Sequence, residues 1–160
     1  MKPNNHKASG LTAIEVIITI ALLGILLTLG QGAYSVWQKK VYIHNAAEEL
    51  KSVLVQTQQK AAASADGKSW GVHFEANRYV IFSGDIYDPL NPANSVKNLT
   101  GLNIVNPATS LSDGAVGNSP DAVFAEFTGQ TVNSGMITLQ VTADPTVSRS
   151  ISISNIGIIQ

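Results

Sequence analysis

The residue most able to make a specific ionic contact in this sequence is Glu15, which lies inside the apolar stretch SGLTAIEVIITIALLGILLTLG, residues 9–30. A helix over residues 11–30 would be about 30 Å long, the thickness of a bilayer core. An ionised side chain deep in lipid costs about 2.5–3.5 kcal/mol, and less toward the interface. A simple anchor gains nothing from that cost. We therefore expect the Glu15 carboxylate to meet a partner; the alternative is an acid that is tolerated near the cytoplasmic interface of a simple anchor.

The other chemically active side chains do not form the pattern of a catalytic or metal site. The histidines, His6, His44 and His73, are scattered without metal-ligand spacing, and the chain has no cysteine. The sequence contains no nucleophile elbow, phosphate-binding loop or paired-carboxylate signature. It therefore predicts no enzymatic activity, no catalytic residue, no cofactor and no metal, with His44 and His73 facing solvent.

One loop is rich in oxygen ligands, and it leaves two interpretations open. Asp85, Asp88, Asn91 and Asn94 could together suit a hard cation such as Ca²⁺. Their spacing is not that of an EF-hand, and Asp–Pro and Asn–Pro pairs are ordinary turn sequences. The turn interpretation is favoured.

The charge distribution argues against a nucleic-acid partner. Ten basic residues stand against eleven acidic ones, which gives a net charge of −1, and the arginines are Arg78 and Arg149. A phosphate-binding surface would need clustered lysine and arginine.

The first ten residues, MKPNNHKASG, are short, polar and basic. They could be the n-region of a secretory signal peptide with the apolar run as its h-region. Against this, the apolar run is longer than a usual h-region and Glu15 interrupts its start. The chain beyond the apolar run also continues as a helix instead of opening into a mature N-terminus.

Residues 31–66 predict the continuation of the same helix outside the apolar segment. Apolar or small residues recur at three-, four- and seven-residue spacings, as on one face of an amphipathic helix. The sequence ASADG at residues 63–67 then supplies helix-ending residues. With no proline between Leu11 and Lys60, one helix of some fifty residues is expected. The predicted buried stripe consists of Val36, Ile43, Ala47, Leu50, Leu54, Thr57 and Ala61.

Residues 67–160 predict a β-rich domain. Trp70, Val72 and Phe74 alternate with Gly71, His73 and Glu75, and Ala76–Asn77 can turn the chain into RYVIFSG, which indicates a hairpin. LNIV predicts a short strand, and alternation resumes over the last forty residues, where Ile151, Ile153 and Ile156 are expected to be buried. The fold class is therefore α+β, with a small antiparallel sheet packed on the amphipathic part of the helix.

The N-terminal motif resembles the class III prepilin signal of type IV pilins and type II secretion pseudopilins. In that family a short basic leader ends in Gly, a dedicated peptidase cuts after it, and the new N-terminal residue is methylated. A Glu stands fifth in the mature chain. The resemblance places the cut between Gly10 and Leu11, the N-methylation on Leu11 and the fifth-position acid at Glu15. Leu11 instead of the usual Phe, and Ala13 where Leu is frequent, depart from the pattern.

The segments WGVHFEANRYVIFSG, VFAEFTGQTVNSGMITL and RSISISNIGIIQ resemble the globular part of H-type minor pseudopilins and related minor pilins. The resemblance implies a pilin-like fold with four parts. They are a cleaved leader (1–10), a transmembrane or filament-core helix (11–30), an amphipathic helix (31–66) and a β-rich globular domain (67–160). Some minor pilins of this branch bind DNA through a basic tail, but this tail has only Arg149.

The function implied is that of a non-enzymatic minor subunit of a type II secretion pseudopilus or a type IV pilus. The implied partners are prepilin peptidase, other pilin or pseudopilin subunits contacted through the N-terminal helix, the inner-membrane assembly platform and the lipid bilayer. The subunit would cross the cytoplasmic (inner) membrane once, with its N-terminus inside and its C-terminal domain extracytoplasmic, and then enter the filament. There Glu15 would pair with the Leu11 amine of a neighbouring subunit.

Two alternatives come from different classes. One is a single-pass, membrane-anchored extracytoplasmic binding module that does not polymerise. The other is a secreted protein cleaved within residues 32–35.

Overall fold

One long helix, α1, covers Ala13–Ala62, fifty residues. The computed structural model describes residues 10, 12–114 and 117–160, and only the backbone of residues 29–33. The prediction of one uninterrupted helix is confirmed. Its end also lies where the sequence places it, because Ser64 and Asp66 adopt left-handed backbone conformations, with φ of 53° and 59°, which stop an α-helix.

The described residues divide into two compact units, the first ending at Gln38 and the second covering Lys39–Gln160. The first unit consists mainly of the N-terminal part of α1, in which the rings of Tyr34 and Trp37 stack with centroids 6.0 Å apart. Over the described residues, no helical stretch combines the length and the hydropathy that a membrane crossing requires.

Among the described residues of the second unit, nine strands form two antiparallel sheets, where the sequence predicted one sheet. The first sheet has the order β3-β2-β1-β7, and the second has β4-β8-β5-β6 with β9 also paired to β8. The predicted LNIV strand is present as β4. The strands are β1 (Trp70–Glu75), β2 (Arg78–Ser83), β3 (Ser95–Asn98), β4 (Leu102–Ile104), β5 (Leu111–Ser112), β6 (Asn118–Ser119), β7 (Asp121–Phe124), β8 (Ser134–Val141) and β9 (Asp144–Ile153).

The predicted hairpin is confirmed as the pair β1–β2, in register from Trp70 opposite Ser83 to Glu75 opposite Arg78. Arg78 donates two hydrogen bonds of 2.8 Å to the Glu75 carboxylate across the turn. Gly71 is required by packing, because a Cβ there would lie 2.5 Å from Cζ of Phe82 on the opposite strand.

The hydrophobic core joins one face of α1 to both sheets. Six of the seven predicted stripe residues are at most 7% exposed, from Ile43 to Ala61, and the apolar ones share one cluster with Phe74, Phe124 and Leu139. Full burial of each large apolar side chain contributes about 1.5–3 kcal/mol. The stripe therefore fixes the rotation of this part of α1 about its axis relative to the sheets.

Two predicted core positions are wrong. Val36 is 44% exposed and Ile156 is 57% exposed. Val36 belongs to the first unit, which ends at Gln38, and the described part of that unit contains no sheet to cover it. Ile156 lies beyond the last residue of β9, where strand alternation no longer determines which side chains are buried.

Strand β3 is an edge of the first sheet, and its four residues, SVKN, are all exposed. It pairs with β2 on one side, from Arg78 opposite Asn98 to Ile81 opposite Ser95. A short edge strand with a lysine is a common protection against pairing with other chains.

Stability at alkaline pH should depend on Tyr79, which is 2% exposed. Burial, and secondarily the Glu49 carboxylate, raise the pKa of Tyr79 from 10.0 to about 12. Between these values the unfolded chain loses the phenol proton while the folded chain keeps it. The free energy of unfolding should therefore fall as pH rises through this window, by up to about 1.4 kcal/mol per pH unit.

The measurement is denaturant unfolding of the full chain in detergent at pH 9 and pH 11, followed by circular dichroism. Tyr79→Phe should lose less stability between the two pH values than the parent chain. Tyr34→Phe, at a tyrosine that is 58% exposed, should behave like the parent. Equal losses in the parent and in Tyr79→Phe would contradict the assignment.

Candidate assembly surface

Glu15 lies in the first turn of α1 and is exposed. Its backbone N–H donates to the Thr12 carbonyl at 3.1 Å and has the Thr12 hydroxyl oxygen at 3.4 Å. Thr12 and Glu15 have the spacing of a capping box, in which a Thr side chain caps the helix and an acid three residues later supports the same end. A negative charge near a helix N-terminus is also favoured by the helix dipole.

Glu15 therefore has a local structural role in addition to the predicted ionic one, and the T-x-x-E spacing was the signal for it. Among the described residues, the Glu15 carboxylate forms no ion pair. The Leu11 amine proposed as its counterpart, the methylation on Leu11 and residues 1–9 of the predicted leader lie outside the described residues. Gly10 is described, is exposed and precedes the helix.

The apolar segment that follows Glu15 exposes large side chains at successive positions. Ile17 and Ile18 are 67% and 51% exposed, and Leu26 and Leu27 are 65% and 69% exposed. Since neighbouring positions on a helix point about 100° apart, these side chains surround the helix instead of lining one face. The segment needs an apolar environment that the described part of its own unit does not supply. The exposed large apolar side chains of this segment are Val16, Ile17, Ile18, Ile20, Leu22, Leu23, Ile25, Leu26 and Leu27, and Ile14, just before Glu15, is also exposed.

The predicted solvent-facing position is confirmed for His44, which is exposed, and is wrong for His73. The His73 side chain is 17% exposed. Its Nδ1 lies 2.5 Å from Oδ1 of Asp121 on the adjacent strand β7, and its ring stacks on Tyr87 with centroids 4.0 Å apart. The three side chains join the loop after β2 to the first sheet.

In the oxygen-rich loop, the side chains of Asp88, Asn91 and Asn94 form hydrogen bonds that stabilise β-turn-like backbone conformations. Asp88 Oδ1 accepts a hydrogen bond from the Leu90 N–H at 2.9 Å, and Asn91 Oδ1 accepts one from the Ala93 N–H at 3.0 Å. The Asn94 amide donates to the Asp88 carbonyl at 2.7 Å. The bonds of Asp88 and Asn91 are those of Asx turns, and the Asn94 amide closes the loop on itself.

Two surface concavities lined by described residues of the second unit differ in charge. The larger, which we call the acidic groove, has a volume of about 980 Å³. Among the described residues that line it, the charged ones are Asp85 and Asp113, and most others carry hydroxyl or amide groups. No sequence pattern indicated this groove, because its walls come from segments far apart in the chain.

The smaller concavity, the cationic slot, lies between α1 and β9 and has a volume of about 270 Å³. Ile43 and Val147 supply its apolar part, and Lys40 and Arg149 are its charged lining residues among those described.

An ion pair between the same two elements lies beside the slot, with Lys39 Nζ 3.0 Å from Asp144 Oδ2. Hydrogen bonds from the Thr146 hydroxyl and the Lys39 ammonium hold the pKa of Asp144 below its usual value. The pair ties the start of this part of α1 to β9.

Comparison with known proteins gives a structural match and no sequence match. No family model and no curated protein sequence matches this chain. Among solved structures, it is similar to the minor pseudopilin EpsH from the type 2 secretion system of Vibrio cholerae, with a TM-score of 0.52 and 12% identity. The match covers 74% of this chain and 94% of that one. The expected α+β, pilin-like architecture is therefore confirmed: this chain has the fold of a minor pseudopilin.

Proposed function

We propose that this chain is a structural subunit of a membrane-anchored filament of the pseudopilus or type IV pilus kind, without catalytic activity of its own. The observation that carries the proposal is the apolar surface around α1 in the first unit, where large side chains are exposed at successive positions. The fold shared with EpsH supports it. A lipid bilayer and the core of a helical filament are the two environments that would cover such a helix.

The N-terminal motif supports a specific order of processing and assembly steps. Prepilin peptidase cuts between Gly10 and Leu11, and the new Leu11 amine is methylated but remains cationic. The mature chain waits in the cytoplasmic membrane with its second unit outside. The inner-membrane assembly platform then moves it into the filament, where its N-terminal helix packs against those of other subunits.

Glu15 acts electrostatically when the subunit moves from the membrane into the filament. Lipid tails are as apolar as leucine side chains, so moving α1 from bilayer to filament gains little hydrophobic free energy. An ion pair between Glu15 and the Leu11 amine of a neighbouring subunit favours the filament, since both charges find a partner there. A subunit packed out of register would leave one of those charges buried alone, at a cost of about 3–5 kcal/mol. Glu15 therefore sets the register as well as stabilising the assembly.

The acidic groove favours a second candidate, a membrane-anchored binding module that does not polymerise, because an open groove of about 980 Å³ can hold part of a ligand. The two candidates differ in whether the native chain loses residues 1–10 and whether it associates with other subunits.

Mass spectrometry of the chain purified from its native membrane distinguishes them. We expect a mature protein that begins at a methylated Leu11, together with chemically cross-linked species containing more than one subunit. A chain that retains residues 1–10 and is monomeric at every cross-linker concentration would overturn the proposal in favour of the binding module.

A further inference from the structure

One side of strand β9 is open over part of its length. Among the described strands, β9 pairs with β8, and in an antiparallel pair successive residues direct their N–H and C=O groups alternately toward the neighbouring strand and away from it. The Thr138 carbonyl of β8 accepts a hydrogen bond from the Val105 N–H, at 2.9 Å, on the side of β8 where β4 lies. Ser150 lies opposite Thr138, so its backbone groups are turned away from β8, and those of Ser148 are turned the same way.

Residues 158–160 already pair with this side of β9. The Ser152 N–H donates to the Gln160 carbonyl at 2.9 Å, and the Gln160 N–H donates to the Ser152 carbonyl at 3.0 Å. The open side of β9 therefore accepts a strand, and this pairing covers it only near the end of β9. Ser148 and Ser150 continue the same edge, and both residues are exposed.

Positive charge lies beside the open part of β9. Lys40 and Arg149 line the cationic slot together with Ser148. Both cations are exposed, and neither forms an ion pair within the described part of the chain.

Arg149 lies between the two open serines, and this position defines which added strand would fit. A residue directly opposite Arg149 on an added strand would lie on the same face of the sheet, in a non-hydrogen-bonded pair with Cα atoms about 4.5 Å apart. Opposite charges at such positions stabilise the pairing, and like charges destabilise it. A carboxylate at that position is therefore favoured, and a cation is disfavoured.

We infer that the open edge of β9 is a docking site for an extended, acidic segment of another protein, which adds as a strand and places a carboxylate opposite Arg149. In this mode of recognition the main-chain hydrogen bonds give affinity and the side-chain positions give specificity. The β9 edge of a second copy is a poor partner, because it would bring Lys40 and Arg149 of both copies together. The site belongs to the second unit and does not depend on processing at Gly10 or on polymerisation.

The test uses the full chain in a zwitterionic detergent and a short synthetic peptide of alternating threonine and valine with one central glutamate. The peptide should slow amide hydrogen exchange at Ser148 and Ser150. The matched peptide with a central lysine should need about a tenfold higher concentration for the same protection, because a repulsive cross-strand pair replaces an attractive one.

Strand β3 supplies the control edge. The Leu99 N–H donates to the Asn77 carbonyl at 2.8 Å, next to the β2–β3 pairing, so Val96 and Asn98 have their backbone groups turned away from β2. This edge carries one cation, Lys97, in a strand of four residues. The glutamate peptide should leave exchange at Val96 and Asn98 unchanged at the concentration that protects the two serines.

Arg149→Glu should reverse the preference, so that the lysine peptide protects Ser148 and Ser150 at the lower concentration. Arg149 is exposed and lies outside the core cluster, so the variant should fold. Lys97→Glu makes the same charge change on β3 and should leave the preference for the glutamate peptide as it is in the parent chain.

Equal protection of β3, an unchanged preference in Arg149→Glu, or no protection of the two serines at any soluble peptide concentration would overturn the inference. Protection of Ser148 and Ser150 that rises with the concentration of the chain alone would also overturn it, because a second copy would then occupy the edge.

Discussion

Gly10→Val should leave the chain uncut, with residues 1–10 retained on every molecule in the membrane. The family resemblance gives Gly10 the position before the scissile bond. A branched side chain there would displace that bond by about 1 Å or more in the peptidase, and a misplacement of this size can reduce a rate on the order of a hundredfold. Without the cut, the Leu11 amine does not exist and Glu15 has no counterpart.

Gly10→Val should not disturb the fold of the chain, so a loss of cleavage can be attributed to the peptidase step. A Cβ added at Gly10 has nothing within 4 Å, and Gly10 precedes the helix. Gly24 also has nothing within 4 Å, so Gly24→Ala is a matched glycine change away from the cut. The measurement is the intact mass of the membrane-extracted chain. Normal removal of residues 1–10 from Gly10→Val would contradict the assigned cleavage site.

Glu15→Gln should give a normally processed, membrane-bound chain that enters filaments far less than the parent. The substitution removes the charge and leaves the Leu11 amine unpaired when the helix is buried. A stranded charge costs about 3–5 kcal/mol, which corresponds to a loss of incorporation on the order of a hundredfold or more. The measurement is the ratio of filament-associated to membrane-associated chain in sheared and fractionated cells.

Glutamine separates the ionic role of Glu15 from its capping role. Gln serves as well as Glu at the last position of a capping box, so Glu15→Gln keeps the helix start. Thr12→Ala does the opposite: it removes the capping hydroxyl, at a cost of about 1 kcal/mol, and keeps the charge. We expect near-normal incorporation for Thr12→Ala. If Thr12→Ala is as defective as Glu15→Gln, the capping box explains Glu15 and the intersubunit ion pair does not.

Periodicity predicted those parts of the fold where side chains alternate between one buried and one exposed face. The helical spacing from Ile43 to Ala61 and the two-residue alternation of Trp70, Val72 and Phe74 both reflect burial against a single neighbouring layer. Val36 continued the same spacing, but spacing carries no information about where the neighbouring layer ends. The missed strand β3 has four exposed residues, so no alternation could reveal it.

Sequence reasoning reaches the candidate site only where the site is local in sequence, and the roles of its residues stay predictions. Gly10, Leu11 and Glu15 lie within six positions of one another and match a family motif. The contact between His73 and Asp121 joins residues 48 positions apart, and the sequence contains no signal that links them. The acidic groove and the cationic slot likewise depend on how distant segments meet, which only the tertiary structure determines.

The polar edge strand β3 affects how copies of this chain can associate. A strand whose Lys97 carries a charge and whose four residues are all exposed is a poor template for addition of a further strand from another molecule. Side-by-side merging of sheets into amyloid-like material is thereby disfavoured at this edge, even when many copies are crowded together. Under the proposed function, filament contacts would be made by the apolar part of α1 and not by this edge, so β3 should not add thickness to a fibre of these subunits.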